Sequence, residues 1–143
     1  MIRLKSSTMI QRPAKDVTAY VADVENDKAW ATGVVHAART EGKAGQVGAK
    51  YERVLEAMGR NIKMVVEVAA HEPGKQVELK GTGKVLEAKI VYRCAPSGSA
   101  TKLDVEFEGE MLGFASMFEG VVAEHLEAQL PKDLETLRSK LEK

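Results

Sequence analysis

The sequence predicts an α+β protein in which a curved, seven-stranded antiparallel sheet wraps one long C-terminal helix, with two short helices between the first and second strands. Three observations lead there. Between Gly42 and Glu110 the chain breaks at nearly regular intervals into apolar/polar alternations separated by turn residues, which is the two-residue period of half-buried strands. After Glu110 the apolar residues switch to helical spacing for about thirty residues. The turns between strands are short, which favours an antiparallel meander with one solvated face and one face that needs a cover. That cover is a single rod, so the space between rod and sheet is a natural place for a ligand.

Taken in order, Ile2, Leu4, Ser6, Thr8 and Ile10 share one phase of a first strand. Pro13 suits the first position of a helix, where its missing N–H would lack a partner anyway, and Val17, Tyr20, Val21 and Val24 repeat at helical spacing. Asn26 or Asp27 can cap a further turn carrying Trp30, which Gly33 stops. Val34 to Glu41 reads as a second strand. The third has Val47, Ala49, Tyr51, Leu55 and Ala57 on its apolar phase, and Arg53 shares that phase. Ile62, Met64, Val66, Val68 and Ala70 form one face of the fourth strand, after a turn at Gly59, Arg60 and Asn61, and Pro73-Gly74 fits a type II turn. Val77 and Leu79 face inward in the fifth strand, and Gly81, Thr82 and Gly83 are read as the following turn. The sixth presents Leu86, Ala88, Ile90, Tyr92 and Cys94. After Pro96, Ser97 and Gly98, the seventh places Thr101, Leu103, Val105, Phe107 and Gly109 inward. Phe114, Met117, Phe118, Val121, Val122, Leu126, Leu130, Leu134, Leu137 and Leu141 then form one helical stripe. Pro131 interrupts its backbone bonding, and because the stripe keeps its phase across this residue a kink is expected rather than two helices.

Composition narrows the function. The chain has 143 residues, the size of one domain spanning 1–143. Its 21 Lys and Arg balance 21 Asp and Glu and are interleaved with them, so there is no basic face for nucleic acid. No stretch approaches a transmembrane length, and the N-terminus lacks the pattern of a cleaved leader, so a soluble, unprocessed chain is expected. A lone cysteine, Cys94, cannot form an internal disulfide and fits a cytoplasmic location.

The segment from Arg12 to Trp30, RPAKDVTAYVADVENDKAW, resembles the opening of START-like polyketide cyclase/dehydrase proteins: a proline, an apolar helix, an Asp with a few polar residues, then a tryptophan. The approach to the third strand from Gly45 to Tyr51, the Glu72-Pro73 turn, the start of the last strand at Ser99, Ala100 and Thr101, and the closing Leu134, Leu137 and Leu141 helix extend the resemblance over nearly the whole chain. It implies the helix-grip fold of the SRPBCC superfamily and a ligand cavity. It does not choose the chemistry, because similar proteins include polyketide aromatases and cyclases, lipid and sterol carriers, coenzyme Q-binding chaperones and hormone receptors.

Candidate ligand-binding residues follow from the inward phases. Arg53 is foremost, since a guanidinium keeps its proton and is rarely buried without an anionic partner or a ligand. It would orient a carboxylate, carbonyl or phenolate, or else reach the sheet edge or pair with a structural acid. Tyr51 and Tyr92 couple an apolar ring to a hydroxyl that can align a ligand carbonyl or bond to backbone. Trp30 lines the mouth of the pocket or plugs the core. Met64 and Phe107 join the lining from the strands, and Phe114, Met117, Phe118 and Val121 from the weak first part of the helix, where Gly113 and Gly120 would allow a gate. Ser6, Ala49, Ala57, Ala70, Gly81, Ala88, Cys94, Thr101 and Gly109 are small inward residues that leave volume or let the helix approach closely.

Other chemistry is not indicated. His36, His71 and His125 have no zinc-site spacing, so no metal or other cofactor is expected, and His125 flanks the helix either as a proton-exchanging group or as a surface residue. Gly81-Thr82-Gly83-Lys84 lacks the spacing of a phosphate loop. Cys94 reads as an inert buried thiol. No Asp or Glu on the inward phase of the clearly alternating strands accompanies Arg53, and no catalytic residue is assigned.

These readings favour a protein that binds or carries a hydrophobic small molecule of lipid, polyketide or isoprenoid type between the sheet and the C-terminal helix, as a monomer or weak homodimer. One alternative is a polyketide cyclase or dehydratase. Another is an interaction or regulatory module with no small ligand.

Overall fold

The structure, a computed structural model, describes residues 1–57 and 59–143. Among them, seven strands form an antiparallel sheet: β1 (Ile2–Ile10), β2 (Val34–Glu41), β3 (Lys50–Ala57), β4 (Arg60–Glu72), β5 (Gln76–Gly83), β6 (Leu86–Ser97) and β7 (Ala100–Met111). Their spatial order, β1-β7-β6-β5-β4-β3-β2, makes β2 to β7 a meander and sets the first strand beside the last. Helix α1 (Ala14–Ala22), a 3₁₀ turn (Val24–Asn26) and helix α2 (Asp27–Trp30) link β1 to β2. A second 3₁₀ segment (Gly113–Phe118) leads into the 23-residue helix α3 (Glu119–Leu141). Among the described residues no helix is long and apolar enough to cross a membrane.

The alternation seen in the sequence is the burial pattern of the sheet. Ile2 and Ile10 end a strand that is exposed at every second residue, and β7 buries Thr101, Leu103, Val105, Gly109 and Met111 on its inner face. Lys75 N–H donates to Glu72 O at 2.9 Å with Gly74 at φ 78°, the geometry expected for Pro73-Gly74 in a type II turn.

Three expectations need correction. Gly81 to Gly83 is strand, paired with Met64 to Val66 on β4, and the turn falls at Lys84 and Val85. These glycines serve close approach: a Cβ on Gly83 would lie 2.6 Å from Lys63 O, and one on Gly81 2.6 Å from the Met64 Cε. The third strand begins at Lys50, because Gly48 at φ 90° breaks the extended backbone and leaves Val47 exposed.

The helical stripe, finally, is buried only in its second half. Leu134, Leu137 and Leu141 are in the core, whereas Phe114, Met117, Phe118 and Val121 are 88%, 75%, 57% and 53% exposed. The 3₁₀ winding of Gly113–Phe118 advances three residues per turn instead of 3.6, so the apolar side chains there do not continue the line of the α-helical stripe. The helix itself runs unbroken through Pro131.

The C-terminal end of α3 is clamped by side-chain contacts. Arg12 donates to the Leu141 carbonyl at 2.8 Å and pairs with Asp16 at 2.7 Å, while Gln11 N–H donates to the Glu142 carboxylate at 2.8 Å. A cation at the last carbonyls of a helix satisfies an acceptor and complements the dipole. The first half of α3 has no comparable leucine seam onto the sheet, and that is where the interior opens.

The short helix α2 is stitched to β3 through Gly33. At φ 85°, its carbonyl accepts from Glu56 N–H at 2.7 Å, and a Cβ there would lie 2.6 Å from Glu56 O. Gly98, at φ 63°, has nothing near its would-be Cβ. Gly98→Ala should therefore cost only the backbone strain of about 1–2 kcal/mol, and Gly33→Ala about 3 kcal/mol or more, because the clash adds to the strain. Urea unfolding of the two variants checks this; equal losses would show that α2 and β3 can separate freely.

Candidate functional site

A cavity of about 150 Å³ lies between the sheet and the first half of α3. Leu79, Leu86, Ala88, Ile90, Val105 and Phe107 form its apolar floor, and Leu126 and Leu130 of α3 its roof. Some of the small inward residues do not leave space. Met64 lies over Gly81, and the Phe107 ring lies over Gly109, with the ring atoms 2.8 Å from where a Cβ would stand. Gly81, Ala57 and Ala88 reach the cavity; Ser6, Ala49, Ala70, Cys94, Thr101 and Gly109 are not in its lining.

One end is polar. Asp27, the first residue of α2, is 2% exposed and turns its carboxylate toward Arg53 on β3, with Arg53 Nε 3.1 Å from Asp27 Oδ2. The N–H is not aimed well enough for a hydrogen bond, so the contact is an ion pair. Trp30, one turn further on, meets Tyr92 of β6 edge-on, with ring centroids 6.5 Å apart at 76°. Asp27 Oδ1 and Trp30 Nε1 are buried with no hydrogen-bond partner among the described residues. A latch closes the side next to α2: Thr32 Oγ1 donates to Asp133 at 2.6 Å, and Gln129 of α3 donates to Thr32 at 2.9 Å.

Burial sets the protonation chemistry. Removal from water pushes the Asp27 carboxyl up to about 6; Arg53 pulls it down and Asp23 pushes it further up, so the guanidinium does not cancel the cost of burial. Tyr92, also buried, is raised well above its ordinary value and stays a neutral phenol. The arrangement thus sets a carboxyl able to exchange a proton near neutrality, a fixed cation and a phenol beside an apolar space. Among the described residues no group of three His, Cys, Asp or Glu could hold a metal ion.

Of the sequence-predicted site residues, Trp30, Arg53, Met64, Tyr92 and Phe107 line this cavity. Tyr51 does not: its buried hydroxyl accepts from Gly45 N–H at 2.9 Å, and His71 Nδ1 donates to the Gly45 carbonyl at 2.7 Å, so both hold the loop before β3. Phe114, Met117, Phe118 and Val121 also lie outside the lining, on the surface. His125 does reach the cavity from α3. Cys94 is a half-buried thiol that burial pushes up to about 11, which makes it unreactive.

Asp27 and the Thr32–Gln129–Asp133 latch were missed. In the sequence Asp27 looks like a helix cap, but it lies three residues after Val24 and three before Trp30, the spacing of a single helical face. An acid between two buried apolar residues on one face was the available signal.

Asp27 also gives stability a signed pH dependence. In the folded chain it keeps its proton up to about pH 6, against an ordinary value of 3.8. Between those values the folded state holds a proton that the unfolded state has lost, so Asp27's contribution is fullest below the lower value and falls as pH rises through the higher one. The loss is about 3 kcal/mol. The unfolding free energy of wild type minus that of Asp27→Asn should decrease by about this amount from pH 4 to pH 7. A flat or rising difference in urea titrations would mean that Arg53 compensates the charge fully.

Over residues 1–142 the sequence matches the family described as polyketide cyclase/dehydrase and lipid transport. No curated protein matches it. Among solved structures, the fold is similar to that of a Thermus thermophilus protein at a TM-score of 0.80 and 14% identity, covering 97% of this chain and 96% of that one. A Deinococcus radiodurans protein aligns at 0.72 and 17% identity, covering 98% and 97%. A START superfamily protein from Mycobacterium smegmatis aligns at 0.68 and 18% identity, covering 96% and 99%. At these identities the likeness is one of fold, the helix-grip arrangement of sheet and terminal helix. The match along the sequence carries the rest: this chain belongs to the polyketide cyclase/dehydrase and lipid transport family.

Proposed function

We propose that this protein, acting as a single START-like domain, binds and carries a hydrophobic small molecule in the cavity between the sheet and α3. The observation that carries the reading is an apolar space of about 150 Å³ with Arg53 and Tyr92 in its wall at one end, an arrangement in which apolar walls supply affinity and a few placed polar groups supply orientation. Covering roughly 200 Å² of ligand apolar surface contributes on the order of 5 kcal/mol before ordering costs. Family membership is in keeping with such a role.

A second reading, a cyclase or dehydratase, is favoured by one feature, the buried Asp27 carboxyl that titrates near neutrality beside Arg53. In that reading the cavity holds a poly-keto chain in a reactive conformation while Asp27 moves the proton.

Native mass spectrometry of protein purified from its own cells tests the first reading, with a co-purifying apolar adduct as the expected result. Ala88→Leu, which adds a side chain to the cavity floor, should lower the affinity for that adduct at least tenfold while leaving the thermal midpoint unchanged or higher. No adduct, or binding that is indifferent to Ala88→Leu, would place any ligand elsewhere. Turnover of a polyketide surrogate that disappears in Asp27→Asn would favour the enzyme.

A further inference from the structure

We infer that the cavity takes a small organic acid whose carboxylate pairs with Arg53, and that its binding brings one proton from solvent to Asp27. This rests on the cavity being a binding site, as proposed above, and names both the class of guest and the condition that controls its uptake.

The two members of the buried pair differ in what can reach them. Arg53 comes off the inward phase of β3, lines the cavity and keeps 16% of its side-chain surface, whereas the Asp27 side chain keeps 3%. Of the three guanidinium nitrogens only Nε, the one turned toward Asp27, is sealed off without a partner. A guest therefore meets the guanidinium rather than the carboxyl. Arginine presents a planar fork of N–H donors that matches a carboxylate with two parallel bonds, and with Nε facing Asp27 the fork of Nη1 and Nη2 remains.

A carboxylate bound there leaves two anions for one cation. The charge on Asp27 has little else to hold it: Oδ1 has no hydrogen-bond partner among the described residues, and Oδ2 has only the ion pair at 3.1 Å. The surrounding charged and titratable groups give no relief. Asp23, ahead of the 3₁₀ turn, opposes ionisation of Asp27, and Tyr20 of α1 and Tyr92 of β6 are neutral phenols that feel its charge. Glu56 of β3 and Asp133 of α3 add acid to the cavity wall, and His125 of α3 completes the titratable groups in the lining.

A second carboxylate on Arg53 draws off the attraction that keeps Asp27 ionised, and a buried carboxyl so deprived takes a proton. Burial already pushes Asp27 up to about 6 with the pair intact, so little further push is needed near neutrality. Once Asp27 is neutral, Arg53 is an uncancelled cation facing the guest. By linkage, proton and guest each raise the affinity for the other by the same factor. Above about pH 6 the acid guest binds only with proton uptake, and its affinity falls as pH rises; below that, Asp27 is already protonated and the affinity levels off. A neutral guest of the same shape brings no competing charge and takes up no proton. Size completes the description, since a space of about 150 Å³ admits a single six-membered ring with a short substituent.

Benzoate and benzamide, each one ring and nearly the same shape, decide the matter by calorimetry on the full chain between pH 5 and pH 7.5, where an ordinary carboxylic acid remains ionised. We expect benzoate to bind at least tenfold more tightly at pH 5 than at pH 7.5, and benzamide to bind equally at both. At pH 7, titrations of the wild type in buffers of different ionisation enthalpy should count about one proton taken up per benzoate and none per benzamide. Asp27→Asn should bind benzoate at pH 7.5 at least as tightly as the wild type does at pH 5, a gain that mere damage to the fold would not produce. Arg53→Met should abolish benzoate binding at pH 5 and still bind benzamide. Benzoate affinity that is flat or rises with pH, the absence of proton uptake, or a pH dependence that persists in Asp27→Asn would overturn this inference, while benzamide binding would leave the cavity standing. Failure of both probes to bind would overturn the cavity reading and this inference with it.

Discussion

The buried ion pair between Asp27 and Arg53 is the constraint on which the architecture of the site turns. A carboxylate that is 2% exposed is tolerated only beside a compensating charge, and the guanidinium on β3 is the group within 3.1 Å. The pair fixes α2 against the end of β3, and Gly33 makes the join close enough for backbone bonding with Glu56. Trp30 is thereby turned toward Tyr92 and both enter the cavity wall. Without that pair α2 would rest on Gly33, the latch to α3 and the packing of Trp30 in the core.

The cavity has a second cause, in how α3 is attached. Its C-terminal half is a leucine seam closed by Arg12 and Gln11, whereas its N-terminal half meets a floor of small and medium side chains. Met64 and Phe107 fold over Gly81 and Gly109 and take up part of the room, leaving space for one ring rather than for a long chain. Interiors usually pack to about 0.75 density without such voids. A void of this size between the sheet and the helix is in keeping with the proposed binding role.

Much of this was legible in the sequence. Period-two alternation in β1, β4, β6 and β7 and the leucine spacing of α3 gave the sheet, its inward faces and the covering helix, and the presence of Arg53 on an apolar phase pointed to the site. Periodicity failed where backbone geometry or tertiary context outweighed it. Gly81 and Gly83 look like a turn because the need for close approach to Met64 and Lys63 leaves no trace in local pattern. Phe114, Met117 and Phe118 look like a continued stripe because the sequence does not announce 3₁₀ winding. Asp27 looks like a cap because capping and burial use the same residue type, and the carboxyl's partner lies twenty-six positions away, on another element. The tyrosines were separable only by what their hydroxyls meet: Tyr51 finds Gly45 N–H, and Tyr92 stands at the cavity.

The most direct test observes the indole of Trp30, the single tryptophan in the chain. In a proton–nitrogen correlation spectrum its Nε1–H gives one resolvable signal. On addition of a single-ring apolar molecule such as para-xylene that signal should shift, because the Trp30 ring lines the cavity, with accompanying shifts at Arg53, Ala88 and Leu130 around it. An indole signal that stays still, while the shifts gather on the exposed Phe114 to Val121 surface, would contradict the account.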